Sequence, residues 1–254
     1  MSPISSACCR AVRTRSTSRS NTSTVPAATS SELSERTPLL ILPLGAWEQH
    51  GPHLPLDTDT IIINRVVSDV LTDPALSDID VVVAPTISIT ASDEHQGFAG
   101  TLSAGTQALK DSVVAICRSA TWTRGICIVN GHGGNTDALA AITSALQYEN
   151  ITHSIWSLPS YAGGDMHAGH TETSLLLHIA PEQVRDIPLQ SGAQFTDNII
   201  DAMREQGVQG ISENGIIGDA TTASASHGIA VLNLYSRSLL EHVMACHRDW
   251  PPTL

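Results

Sequence analysis

Short apolar runs alternate along this chain with stretches in which apolar side chains recur every three or four positions. The runs at residues 39–44, 81–86, 126–130 and 153–158 read as buried strands, and the periodic stretches at 60–71, 106–120 and 137–148 read as helices. In the last of these Ala138, Leu139, Ile142, Ala145 and Leu146 fall on one face, and Asn135 or Thr136 is placed to cap it. Strands alternating with helices predict an α/β fold with a mainly parallel sheet covered on both faces. No internal repeat is visible.

At 254 residues and 41% hydrophobic, the chain can bury one sizeable core, and a single domain over residues 38–254 is expected. The first 37 residues break the pattern: they are rich in Ser, Thr and Arg, and five Arg against two Glu give +3 where the remainder carries −15. That composition predicts a disordered tail and lacks the apolar stretch of a secretory signal. A formal charge of −12 with one lysine, Lys110, argues against nucleic-acid and anionic-membrane partners. No apolar run approaches the roughly 20 residues that span a bilayer. Five cysteines without a Cys-x-x-Cys spacing fit a reducing, cytoplasmic setting, and neither a disulfide framework nor a zinc ribbon.

The chemistry is concentrated between the elements. Residues 48–59 carry Glu48, His50, His53, Asp57 and Asp59 and no Cys, the donor types that Zn, Mn and Fe(II) accept. Pro52 and Pro55 push this segment out of helical conformation into an irregular loop able to turn several side chains inward. Taken alone, a polar turn rich in Pro and Asp is the competing reading. The apolar run 125–129 ends in Asn130-Gly131-His132-Gly133-Gly134-Asn135, so His132 stands at the carboxyl end of a strand, where open α/β sheets bind ligands. The glycines let backbone crowd close to an ion or substrate. A third cluster, from Asp165 to Ser174, contains His167, His170 and Glu172. Glu172 falls at the start of a helix, where the dipole favours a carboxylate even without metal. The loop 93–101 adds His95, and the four segments together hold six of the eleven histidines.

Glu-Gln-His-Gly-Pro-His with Asp59 nine residues after His50, then Asn-Gly-His-Gly-Gly-Asn, then His-Ala-Gly-x-x-Glu-Thr-Ser resembles the creatininase family of metal-dependent amidohydrolases over roughly residues 39–180. The stretches 97–101, 169–172 and 212–221 are most similar to its mycofactocin-system peptidase branch, which trims a modified precursor peptide as a redox cofactor matures. The resemblance implies a three-layer α/β/α sandwich, a ring-like homo-oligomer, the modified peptide as substrate, and two divalent ions, Zn, Fe(II) or Mn. It implies Glu48, Asp59 and His132 on one ion, His50 and the bridging Asp59 on the other, and His167 as proton shuttle. Creatininases proper carry a Glu two residues after the His132 position, serving the second metal. Here Gly134 stands there, which makes Glu172 the candidate for the missing carboxylate, as ligand or as acid/base group.

Charge agrees independently, because two divalent ions against Glu48, Asp59 and Glu172 leave room for one hydroxide at neutrality, as a partly buried site requires. Two ions roughly 3.5–4 Å apart bring a shared water toward ionisation at neutral pH. An imidazole such as His167 is suited to protonating a leaving nitrogen, an effect of roughly 10²–10⁴ in rate. His53 and His170 are expected to orient ligands rather than to act on substrate. Where creatininases place a Trp four residues before the motif histidine, this chain has Gly163, which opens the mouth to a peptide end unless Trp156 or Tyr161 fills the gap. Creatinine or small-formamide hydrolysis, and a catalytically silent metal-binding homologue, are the alternatives.

Overall fold

The computed structural model describes residues 22–24 as backbone, and residues 28–194, 196 and 198–250. Strands β1 (Thr22–Thr24), β2 (Leu39–Leu44), β3 (Val81–Val83), β4 (Gly125–Asn130) and β5 (His153–Ser157) lie in the order β1-β3-β2-β4-β5, each pair parallel. All residues of β2 and β4 are buried, as strands covered on both faces must be. Side-chain alternation divides them. Leu39, Ile41, Val81, Val83, Cys127 and Val129 enter one apolar cluster, and Leu40, Leu42, Leu44, Val82, Ile126 and Ile128 enter the other.

Helices α2 (Thr58–Leu71), α5 (His170–Ile179) and α7 (Ala225–Asp249) cover the first cluster, through residues such as Ile62, Ile63, Leu176, Val231 and Leu239. Helices α3 (Gly105–Ser119) and α4 (Thr136–Tyr148) cover the second, through Leu109, Val113, Ile142 and Leu146. The fold is thus the expected three-layer α/β/α sandwich. Strand β3 ends at Val83, three residues before the predicted end, because Pro85 has no N–H; pairing resumes only where Ile87 N–H meets the Pro43 carbonyl. Helix α6 (Ile199–Ile211) and the long α7 were not marked by the pattern of their segments.

Part of the segment expected to be a disordered tail carries structure. Residues Thr22–Thr24 pair with β3 at the sheet edge. Thr29 and Glu32 close a capping box on a short helix, α1 (Ser30–Ser34), and Arg36 pairs with Asp80. An edge strand and a capping box draw on backbone hydrogen bonds and local side chains, neither of which needs hydrophobicity. Residues 1–21 and 25–27 of that segment lie outside the described residues. Among the described residues no helix is long and apolar enough to cross a membrane.

The bed beneath the loops is closely packed. Gly228 of α7 lies against the Ser174 carbonyl of α5, so that a Cβ there would collide with backbone, and the Ser224 N–H bonds Ser174 Oγ at 3.0 Å. Gly228→Ala should force the helices apart and cost about 1–3 kcal/mol of stability, read by denaturant unfolding. An unchanged midpoint would mean that α7 shifts freely over α5.

Candidate metal centre

Parallel strands point one way, so the loops leaving them gather at one edge of the sheet. The loop after β2 brings Glu48, Gln49, His50 and His53, and the first turn of α2 adds Asp59. After β3, a single 3₁₀ turn, Asp93–His95, presents Glu94 and His95. His132 follows β4, and His167 and Glu172 come from the segment after β5 and from the first turn of α5.

Asp59 stands at the centre. Its Oδ1 lies 3.4 Å from His50 Nε2, and its Oδ2 lies 3.2 Å from His132 Nδ1. Both imidazoles are fixed by backbone: His50 Nδ1–H donates to the Glu48 carbonyl at 3.1 Å, and His132 Nε2–H donates to the Ala91 carbonyl at 2.9 Å. In those neutral tautomers the lone pair of each ring faces a carboxylate oxygen, so that a proton or a cation is needed between them. His50 Nε2 also meets Glu172 Oε2 at 3.6 Å, and Glu48 Oε2 lies 3.1 Å from the His132 ring. Both Glu48 oxygens, His50 Nε2 and Asp59 Oδ2 are buried without a hydrogen-bond partner. Convergent acceptors of this kind, shut away from water, call for a cation, and carboxylate and imidazole donors suit a divalent metal.

Neighbouring groups aim these side chains. Gln49 Nε2–H donates to His95 Nδ1 at 2.9 Å and to the Gly215 carbonyl at 3.0 Å, which directs the opposite edge of His95 at Glu48 Oε1, 3.3 Å away. His167 Nε2–H donates to the Gln49 carbonyl at 2.8 Å and leaves Nδ1 facing Glu48. The His167 backbone is bridged to Ile217 in the 212–221 stretch. Asp165 accepts the N–H groups of His170 and Thr171 and so caps α5, while Glu172 Oε2 accepts the Ala168 N–H at 2.6 Å. Ala168 holds a left-handed conformation with φ 52°, local strain of the sort found beside functional groups. Asn135 does not cap α4 with its side chain as expected; it ties Ala91 to Asn130 across two of the loops.

The surroundings of Gly134 divide the expectation placed on Glu172. A Cβ at residue 134 would run into Glu94 Oε1 and His132 Nε2, at the Glu48–His132 end of the cluster. Glu94, 3.5 Å from His132, therefore occupies the space a residue-134 carboxylate would need, while Glu172 stands at the His50–Asp59 end. Sequence reading passed over Glu94 and singled out only its neighbour; its position in a loop leaving a strand at the carboxyl edge was the available signal. His53 Nε2–H donates to Thr173 Oγ1 at 2.8 Å, supporting α5 beside Glu172. His170 is turned away, toward Thr222 and the His227 ring. The cluster opens into a cavity of about 420 Å³ whose walls include Met166, Ile200, Met203, Arg204 and Ile217. Gly163 has open space around it; Trp156 is buried and bonded to Ser238, and Tyr161 bonds Thr171 and His227, so neither fills the gap.

Without metal, protons hold the cluster together. Burial opposes charge on His50 and His132, but Asp59, Glu172 and Glu48 around the first, and Glu48, Asp59 and Glu94 around the second, outweigh it and raise both to about 10. Burial lifts Glu48 to about 8 and Glu172 to about 7. For Asp59 burial acts upward, yet His50 and His132 hold it below the carboxylate range. Burial, then neighbouring imidazoles, push His95 down to about 3 and His167 well below its ordinary value. Groups raised on folding stabilise below their unfolded value and lose that contribution as pH climbs through the folded one. Between about pH 7 and 9, Asp59, His95 and His167 carry the same charge folded or unfolded, so Glu48, His50 and His132 drive the slope downward, against Cys246, which hydrogen bonds from Cys127 and His242 lower to about 5 and which acts upward. Bound divalent ions replace those protons. The Tm of chelated protein should therefore fall from pH 7 to 9 more steeply than that of metal-loaded protein; parallel thermal-shift slopes would contradict the proton count.

Residues 23–243 match the family profile described as creatininase, creatinine amidohydrolase. A mycofactocin precursor peptide peptidase of Mycolicibacterium smegmatis is 48% identical over 205 residues, 79% of this chain and 82% of that protein. Its counterpart from Mycobacterium tuberculosis is 45% identical over 208 residues, with the same shares. Among solved structures, a mutant creatininase of Zn–Zn type aligns with a TM-score of 0.71 at 22% identity, covering 92% of this chain and all 100% of that one. A manganese creatininase aligns at 0.68 and 23% identity, covering 90% and 99%. These two share the fold. With the profile running from β1 into α7 and identity near one half over most of the chain, the protein belongs to the creatininase family.

Proposed function

We propose that this chain is a di-metal amidohydrolase that cleaves a peptide bond of a modified precursor peptide, as the names of its mycobacterial relatives describe for them. The observation that carries the metal reading is the convergence of His50 Nε2 and His132 Nδ1 on the two oxygens of one buried carboxylate, Asp59. Glu48, His132 and Glu94 at one end of the cluster would hold one ion and His50 and Glu172 at the other end the second, with Asp59 as the carboxylate common to both. Two divalent cations so held supply a hydroxide nucleophile at neutral pH and polarise the amide carbonyl. Zn, Mn and Fe(II) all accept this donor set.

The protein's own side chains do the remainder. His95, oriented by Gln49, keeps Glu48 from rotating away. His167 is kept neutral by burial and has its free Nδ1 on the site, so it can accept a proton and return it to the leaving nitrogen. The gap at Gly163 and the apolar walls formed by Met166, Ile200, Met203 and Ile217 suit an extended peptide better than a small ring. The free, buried Cys117, Cys127 and Cys246 suit the cytoplasmic setting, and a homo-oligomer belongs to the same reading.

Metal-loaded protein incubated with the modified precursor peptide should give a truncated peptide by mass spectrometry. Turnover of creatinine or a small formamide with the peptide left intact would replace the substrate, and no turnover at full metal content would leave a silent homologue.

Metal analysis beside kinetics separates the residue roles. Asp59→Asn should lose both ions and nearly all turnover. Glu94→Gln and Glu172→Gln should each lose one ion, whereas His167→Ala should keep two and lose roughly 10²-fold or more in rate. Two ions retained in Glu172→Gln would reduce that residue to a partner of the Ala168 N–H, and an ion lost in His167→Ala would make His167 a ligand.

A further inference from the structure

A second donor cluster lies away from the metal centre, on the face of the sheet that α7 covers. Cys127 of β4 stands three residues before the strand's carboxyl end, and its register partner on β5 is Ser154. Against them α7 sets His242 and Cys246, one turn apart and therefore on one face of the helix. The Cys127 and Cys246 sulfurs and a His242 ring nitrogen all lie within 4.8 Å of one another. Ser154 Oγ is 2.9 Å from His242 Nε2 and 3.0 Å from Cys246 Sγ. Both cysteines are buried, and His242 is half-buried at the helix surface.

The donor types define the ligand. Two sulfurs with an imidazole form a soft set, unlike the carboxylate-rich centre above, and soft sets select zinc-like ions over magnesium or calcium. Tetrahedral zinc, with Zn–S near 2.3 Å and Zn–N near 2.0–2.1 Å, places donors ~3.3–3.8 Å apart, so the sulfurs and imidazole, within 4.8 Å of one another, would close slightly and Ser154 Oγ would move outward from its 2.9 and 3.0 Å contacts. Charge favours it too: two thiolates against one divalent ion give a neutral unit, which burial tolerates.

We propose that Cys127, His242 and Cys246, with Ser154 supplying the oxygen donor, bind one thiophilic divalent cation, zinc by preference, which pins the C-terminal half of α7 to β4 and β5. Since α7 packs on α2 and α5, the helices that begin with Asp59 and Glu172, the pin fixes the bed beneath the metal centre without touching it.

Cobalt(II) titration of the zinc-depleted full-length protein tests this, because the metal centre offers carboxylates and imidazoles and no thiolate. Thiolate-to-cobalt charge transfer should appear in the near ultraviolet, account for one ion per chain beyond those held by the metal centre, and persist in Asp59→Asn, where it should saturate at one ion per chain, so its fate is independent of the catalytic reading. Cys246→Ala and Cys127→Ala should abolish the band, and His242→Ala, the surface variant least able to disturb folding, should weaken cobalt affinity at least tenfold with the circular dichroism unchanged. Absence of the band in folded wild-type protein overturns the proposal. So does a Cys127–Cys246 disulfide found by peptide mapping of protein purified without reductant, which would make the cluster a redox pair.

Discussion

A carboxylate almost sealed from water, Asp59, is the point on which the rest of the centre depends. Alone it would be costly to ionise in that position, and its two imidazole neighbours are turned so that their lone pairs, not their hydrogens, face it. The backbone enforces this: the Glu48 and Ala91 carbonyls take the opposite N–H of each ring. A structure that spends backbone acceptors to present lone pairs to a buried anion makes sense once positive charge sits between them. Protons can supply that charge in part, and divalent ions supply it fully.

The fold serves this arrangement through direction. Parallel strands deliver every loop to the same edge, so residues separated by more than a hundred positions converge there. Helix α2 fixes Asp59 at its first turn, and α5 fixes Glu172 at its own, with Asp165 capping the exposed amides of that turn. The two helices share an apolar bed with α7. Close approach at Gly228 keeps that bed compact, which holds two carboxylates on separate helices in a constant relation.

Glu94 shows what sequence reading missed, although His95 beside it was singled out. Their loop carries no proline brace or glycine run, and a single glutamate beside a histidine looks like solvated surface. In space Glu94 fills the volume left by Gly134, and His95 holds Glu48. The volume that a residue-134 side chain would enter is thus filled from a different loop, an arrangement that no local pattern registers. Composition spoke of disorder in the tail, whereas over Thr22–Thr24 and Ser30–Ser34 an edge pairing and a capping box use hydrogen bonds that hydropathy does not count.

The sequence by itself determined the α/β class, the buried character of the central strands and the donor-rich loops with Glu48, His50, Asp59, His132, His167 and Glu172, because periodicity and residue chemistry are local properties. Only the tertiary structure decided which lone pair faces which oxygen, which end of the cluster each carboxylate serves, and that Cys127 meets His242 and Cys246 across more than a hundred residues. The physical reason is that side-chain direction follows from backbone carbonyls and packed neighbours distant in the chain, and these exist only once the sheet has closed between its helices.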